Sequence, residues 1–182
     1  MSTTRGTRGT VSAPAGLQAP HIREMARQHV AVVHTVGDPS VVAQTAISAL
    51  YGTVFGLKFA LKKEGHDFKV GALRARWPDV NLTSPSEWHG LWALPIPDDV
   101  ETLTSKNPDV PVMVEDWEYG TVAEILHLGP YAEEPASIER LHAFIAAQGY
   151  EIAGPHEEEY RSMPGAKVQK TLLRYQIRPA SA

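Results

Sequence analysis

Gly154-Pro155-His156-Glu157-Glu158-Glu159-Tyr160 is a turn signal that runs straight into three carboxylates, at a place where the surrounding pattern asks for a strand. Like charges repel, and glutamate is depleted from strands because its charge favours water. On a strand the side chains alternate, so Glu158 and Tyr160 project to one face and Glu157 and Glu159 to the other. The residues themselves allow two readings. The run is a solvated acidic edge that blunts aggregation, or it carries Glu158 into a pocket while Glu157 and Glu159 stay at the surface.

The segments around this run supply its partners. Downstream, Lys170 to Ile177 is rich in β-branched and aromatic residues and reads as a closing strand. Upstream, Thr121 to Leu128 reads as a strand ended by Gly129-Pro130. Ala136, Ile138, Leu141, His142, Phe144 and Ile145 then trace one helix face, stopped by Gly149, and Glu151 to Ala153 leads into the acidic run. The first half has the same order. His29 to Val36 is a buried strand bounded by Gly37-Asp38-Pro39, and a long helix opens at Pro39-Ser40 and closes at Lys62-Lys63-Glu64-Gly65. Phe68 to Arg74 is predicted as the second strand, broken by Trp77-Pro78, and Trp88 to Pro95 as the third. A Pro-rich connection from about 97 to 120 is expected to hold a helical turn at 99–105 and a strand at 112–117.

Two strand-helix-strand-strand units, about 29–96 and 121–178, predict an α+β domain over 21–182, with an antiparallel sheet and helices on one face. Residues 1–20, rich in Ser, Thr, Gly, Pro and Ala, read as a disordered arm. They contain no signal-peptide core, and no later segment offers an unbroken apolar run of roughly 18 residues, so a cytoplasmic protein is expected. The net charge of −4, with Lys and Arg scattered, points to a small neutral or cationic ligand rather than nucleic acid or an anionic membrane. Oligomeric state is not encoded in any of these signals.

The absence of cysteine excludes disulfides and thiolate chemistry. The eight histidines include no i, i+4 pair with a neighbouring acid of the kind zinc hydrolases use, so neither a metal nor another cofactor is expected. Elbow, phosphate-loop and dinucleotide fingerprints are missing as well. Trp88 and Trp92 fall on one side of their strand with Gly90 between them, a spacing that fits either a core or an open shelf for a flat aromatic ligand. Trp77 and Trp117 read as packing residues. Tyr51, on the long helix, and Tyr131, after the Gly-Pro turn, are further candidates to line a site.

Val122-Ala123-Glu124-Ile125-Leu126-His127-Leu128-Gly129-Pro130-Tyr131, Glu134-Pro135, Gly154 to Tyr160 and Leu172-Leu173-Arg174-Tyr175 together resemble the GyrI-like small-molecule-binding domain. Gly37-Asp38-Pro39, Ala49-Leu50-Tyr51 and Gly90-Leu91-Trp92 are looser echoes in the first half. The resemblance implies two βαββ units about a pseudo-twofold axis, enclosing an aromatic groove with a central glutamate. The family pattern G-P-x-x-E-x-Y places that glutamate at Glu158 and its tyrosine at Tyr160. Many stand-alone relatives carry a glutamate before Gly-Leu-Trp, where this chain has His89.

Stand-alone relatives include hydrolases that open the cyclopropane of DNA-alkylating cyclopropanoid antibiotics. On that likeness Glu158 is expected to activate water, Tyr160 or Tyr131 to donate to the substrate's carbonyl oxygen, and Trp88, Trp92, Tyr51 and His89 to hold a flat ligand. The alternative is a non-catalytic drug-binding or gyrase-protecting module, in which Glu158 is the counter-charge of a cationic ligand.

Overall fold

The computed structural model describes residues 15–80, 82–163 and 165–181; residues 1–14, most of the expected arm, lie outside it. A one-turn helix, α1 (Ala15–Gln18), leads into β1 (His21–Met25), a strand the sequence pattern did not signal. β2 (Gln28–Val36) and α2 (Pro39–Lys63) follow as expected. The Asp38 carboxylate accepts the Ser40 amide at 2.8 Å and caps α2, while Lys62 and Lys63 face its negative end. α2 is long and apolar enough to cross a membrane by length and composition, with a mean hydropathy of 1.4. It lies instead on β2 and a later strand, with Ala46, Ala49, Leu50, Thr53 and Val54 buried.

The next strand is displaced from the sequence expectation. Residues 68–73 lie outside any strand, although the Leu73 carbonyl accepts the Tyr160 amide, and β3 is Arg74–Trp77. β4 (His89–Pro95) and β5 (Met113–Trp117) frame the Pro-rich connection, which forms no helical turn at 99–105. β6 (Gly120–Leu128), a 3₁₀ turn (Tyr131–Glu133), α3 (Glu134–Ala147), β7 (Tyr150–Ile152), β8 (His156–Tyr160) and β9 (Lys170–Pro179) complete the chain.

Among the described residues the strands form one antiparallel sheet in the order β1-β6-β9-β8-β3-β4-β2-β5, with β7 on the far end of β9. The order reads alike from either side of the β3–β8 seam: β3, β4, β2 one way and β8, β9, β6 the other. The fold is α+β, with both long helices on one face. Met25 of β1 and Trp117 of β5, at opposite ends of the strand order, nonetheless share a buried cluster with Val30, Val32, Ala93, Tyr119 and Val122. The sheet therefore curls until its edges meet, and it buries its helix-free face against itself.

Candidate functional site

α2 covers β2 and β4, and α3 covers β6 and β7, so β3 and β8 form the floor between the helices. Ladder partners share a face: Ala75 opposes Glu158, Trp77 opposes His156, and Trp92 opposes Ala75. Glu158, His156, Tyr160, Trp77 and Trp92 thus all stand on the helix side of the seam.

Both oxygens of Glu158 are held. Tyr160 donates its hydroxyl to Oε2 at 2.6 Å, and His156 Nε2 lies 3.2 Å from Oε1. A carboxylate can only accept, so Nε2 carries the proton. In the neutral ring Nδ1 then accepts the Tyr175 hydroxyl, 2.9 Å away. The Glu158 side chain keeps 14 % exposure, and Tyr160 and His156 leave some of its lone pairs unused. Burial, then the Glu158 charge, hold the Tyr160 hydroxyl well above the usual tyrosine range, and the same two causes push Tyr175 up to about 12. Both phenols stay protonated donors. Tyr131, in the 3₁₀ turn, sets its ring edge-on to Tyr160 with centroids 6.0 Å apart and remains exposed.

A second carboxyl, which the sequence analysis did not single out, stands beside this group. Glu134 opens α3 yet is only 6 % exposed, and its Oε1 has no hydrogen-bond partner among the described residues. Burial first, and then the Glu158 charge, push its carboxyl up to about 8 against an opposing hydrogen bond with Thr171. Glu134 is therefore an acid at neutral pH. From sequence an acid in a first helical turn reads as ordinary dipole matching, which concealed it. His142 packs edge-on against Tyr175 at 4.9 Å, its Nε2 without a partner among the described residues; burial and then His156 lower its pKa.

Three indoles pack together on the helix side of β3 and β4: Trp77 and Trp92 are buried in the core under α2, and Trp88 is half-buried against them. Trp77 lies edge-on to both Trp92, at 5.2 Å, and Trp88, at 6.2 Å. The expected open shelf over Gly90 is filled, because a Cβ there would meet Trp77 Cζ3 at 3.0 Å. Trp92 donates to Thr35 Oγ1 and Trp88 to the Thr83 carbonyl, whereas the buried Trp77 Nε1 has no partner among the described residues. The Trp77 benzo edge is turned to Gly90 on β4. Tyr51 is half-buried on α2, stacked on Phe55 at 6.2 Å and packed against the cluster that includes Trp77 and Trp92. His89 points to the opposite face of β4 from Trp92, is exposed, and pairs with Asp79 at 2.5 Å.

The other face of β8 corrects a sequence expectation. Glu157 and Glu159 are not at the surface; they are 2 % and 6 % exposed. Arg174, 1 % exposed, bonds Glu124, Glu157 and Glu159 together. Arg76 adds a 2.7 Å bond to Glu157, and Arg74 and Arg161 flank Glu159. Burial alone would raise the Glu159 carboxyl and lower the Arg174 guanidinium, but the opposite charges outweigh it and reverse both shifts. Arg76 also stacks 3.9 Å over Trp117. Among the described residues no group of three or more His, Asp or Glu is placed to hold a metal ion.

Solved structures share this architecture. An uncharacterized conserved protein from Listeria innocua aligns with a TM-score of 0.77 at 25 % identity, over 88 % of this chain and 93 % of its own. A hydrolase from Listeria innocua aligns with a TM-score of 0.73, also at 25 % identity, over 88 % and 92 %. The EcmrR C-terminal domain shares the fold alone, with a TM-score of 0.62 at 13 % identity over 88 % and 98 %. No curated protein sequence matches the chain. The model of the GyrI-like small molecule binding domain matches residues 18–178, and the chain belongs to that family.

Proposed function

We propose that the protein is a cytoplasmic hydrolase that opens the cyclopropane of DNA-alkylating cyclopropanoid compounds by adding water, as self-resistance or detoxification. One observation carries this reading: Glu158 on β8 is anchored by Tyr160 and His156, and its charge acts on the buried Glu134 at the start of α3, whose carboxyl is pushed up to about 8. Water addition needs one base and one acid, and this pair supplies them.

The substrate's cyclopropane is conjugated to a dienone. Glu158 takes a proton from water, and the water oxygen attacks a ring carbon. The carbon–carbon bond breaks, its electron pair enters the dienone, and the product aromatises to a phenol. Glu134 delivers the proton to the former carbonyl oxygen, and Tyr131, the exposed hydroxyl, donates a hydrogen bond to it. Tyr160 is already committed to Glu158, so its part is to orient the base. Trp88, the half-buried indole, offers the ligand a flat face, and Trp77 and Trp92 support it from the core. Tyr51 backs them. His89, on the other face, has no part in this scheme.

The test is turnover. Protein at substoichiometric amount, incubated with a cyclopropanoid drug, should give a hydrated ring-opened product by mass spectrometry. Glu158→Gln should stop it, and Glu134→Gln should slow it. One equivalent of unchanged drug bound per chain, with no product, overturns the hydrolase and leaves a binding module.

A further inference from the structure

A cavity of about 780 Å³ opens at the end of β6, lined by side chains that include Gln18, His127, Glu133, Ser137 and Arg140. The groove residues Glu158, His156, Tyr160 and the three tryptophans do not line it. His127 is buried, and its Nε2 lies 3.1 Å from the Pro130 carbonyl oxygen while its Nδ1 lies 2.9 Å from Ser137 Oγ. A carbonyl oxygen can only accept, so Nε2 carries the ring proton, and Nδ1 of the neutral imidazole must accept the Ser137 hydroxyl. This fixed tautomer is the arrangement of a nucleophile and its base, with the base oriented by a third group.

Gly129 leaves room for Glu133 beside the ring that the Pro130 carbonyl orients. Its φ of +132° is a conformation other residues avoid, and a Cβ there would meet Glu133 Oε2 at 3.2 Å and His127 Nε2 at 3.7 Å. The Glu133 carboxylate thus sits near the ring edge that becomes cationic when His127 takes a proton. Arg140 follows Ser137 by three residues, which puts both on the same helix face, and its guanidinium has no ion pair among the described residues.

We propose that Ser137 and His127 form a second site that hydrolyses small carboxylic esters bearing an anionic group, which Arg140 holds. The Ser137 proton passes to His127 Nδ1 as Oγ attacks the ester carbonyl. The carbon–oxygen bond to the alcohol breaks, and the alcohol leaves with the proton from His127. Water, deprotonated by the same ring, then releases the acid and restores Ser137. Ser137 is the catalytic nucleophile and His127 the catalytic base.

The probe is p-nitrophenyl hemisuccinate, compared with p-nitrophenyl acetate. The full chain should release nitrophenolate, and peptide mapping should find the acyl group on Ser137. Ser137→Ala should remove it, His127→Gln should slow acylation at least about tenfold, and Arg140→Met should erase the preference for the hemisuccinate. Acyl transfer to another residue, or an undiminished rate in Ser137→Ala, overturns the proposal. Because His127→Gln can disturb the end of β6, Ser137→Cys gives an independent reading in a chain with no other cysteine. Its thiol should alkylate with iodoacetamide at least about tenfold faster than a free thiol at the same pH. A rate no faster than a free thiol also overturns the proposal.

Discussion

β8 carries three consecutive glutamates and gives its two faces opposite treatment. On the helix-free face Glu157 and Glu159 are sealed in with Arg174, Arg76 and Arg74, so each carboxylate has a guanidinium within bonding distance. On the helix face Glu158 has phenols, imidazoles and a second carboxyl around it. Charge is neutralised on one side and left available on the other. Two residues of identical chemistry thus differ in role because of the parity of their position.

The contrast can be broken from either side. The largest effect is expected from Glu158→Gln, which should lower kcat for ring opening by about 10²–10⁴-fold with little change in chemical-denaturation stability. Arg174→Met should do the reverse. It leaves three buried carboxylates without their shared cation and should cost about 3–5 kcal/mol of unfolding free energy, measured by urea titration. A wild-type stability for Arg174→Met, or a collapse of Glu158→Gln, would show that the faces are not divided as described.

Smaller effects sharpen the picture. The Glu134 carboxyl binds its proton more tightly folded than unfolded. The stability it contributes is therefore complete below its ordinary value and is lost as pH rises through about 8. Ring-opening rates should fall across the same window as the acid is lost. Glu134→Gln should flatten both alkaline limbs in parallel thermal and kinetic pH series. Trp77→Phe trims a core indole and should cost about 1–3 kcal/mol of unfolding free energy in urea titration, with a smaller effect on KM. His89→Ala should change neither stability nor turnover by more than about 0.5 kcal/mol, because it lies at the surface beyond the groove.

Strand alternation was enough to place Glu158 and Tyr160 together, and the turn and helix signals located α2, β4, β6 and α3. What alternation could not supply was the identity of the neighbours. Glu157 meets Arg76 across 81 residues of sequence, so its burial depends on a pairing that no local pattern encodes. Glu134 is hidden by a position that favours acids in any helix. β3 starts late because Phe68 and Val70 mimic an alternating strand although the ladder begins only at Arg74. Trp77, ahead of a proline, reads as a strand end yet fills the space that the spacing of Trp88 and Trp92 left open.

The β3–β8 seam has one more implication, for the order of assembly. It is only four ladder pairs long and joins residues 74–77 to residues 156–159, so it cannot form until a large loop has closed. Each half of the sheet can pair its own strands first: β3, β4 and β2 bring the indoles, and β8, β9 and β6 bring Glu158. Neither half holds both a ligand wall and a base. Catalytic competence is thus a late event in folding, and quenching of Trp77 against β8 should appear in the slowest phase of a refolding trace.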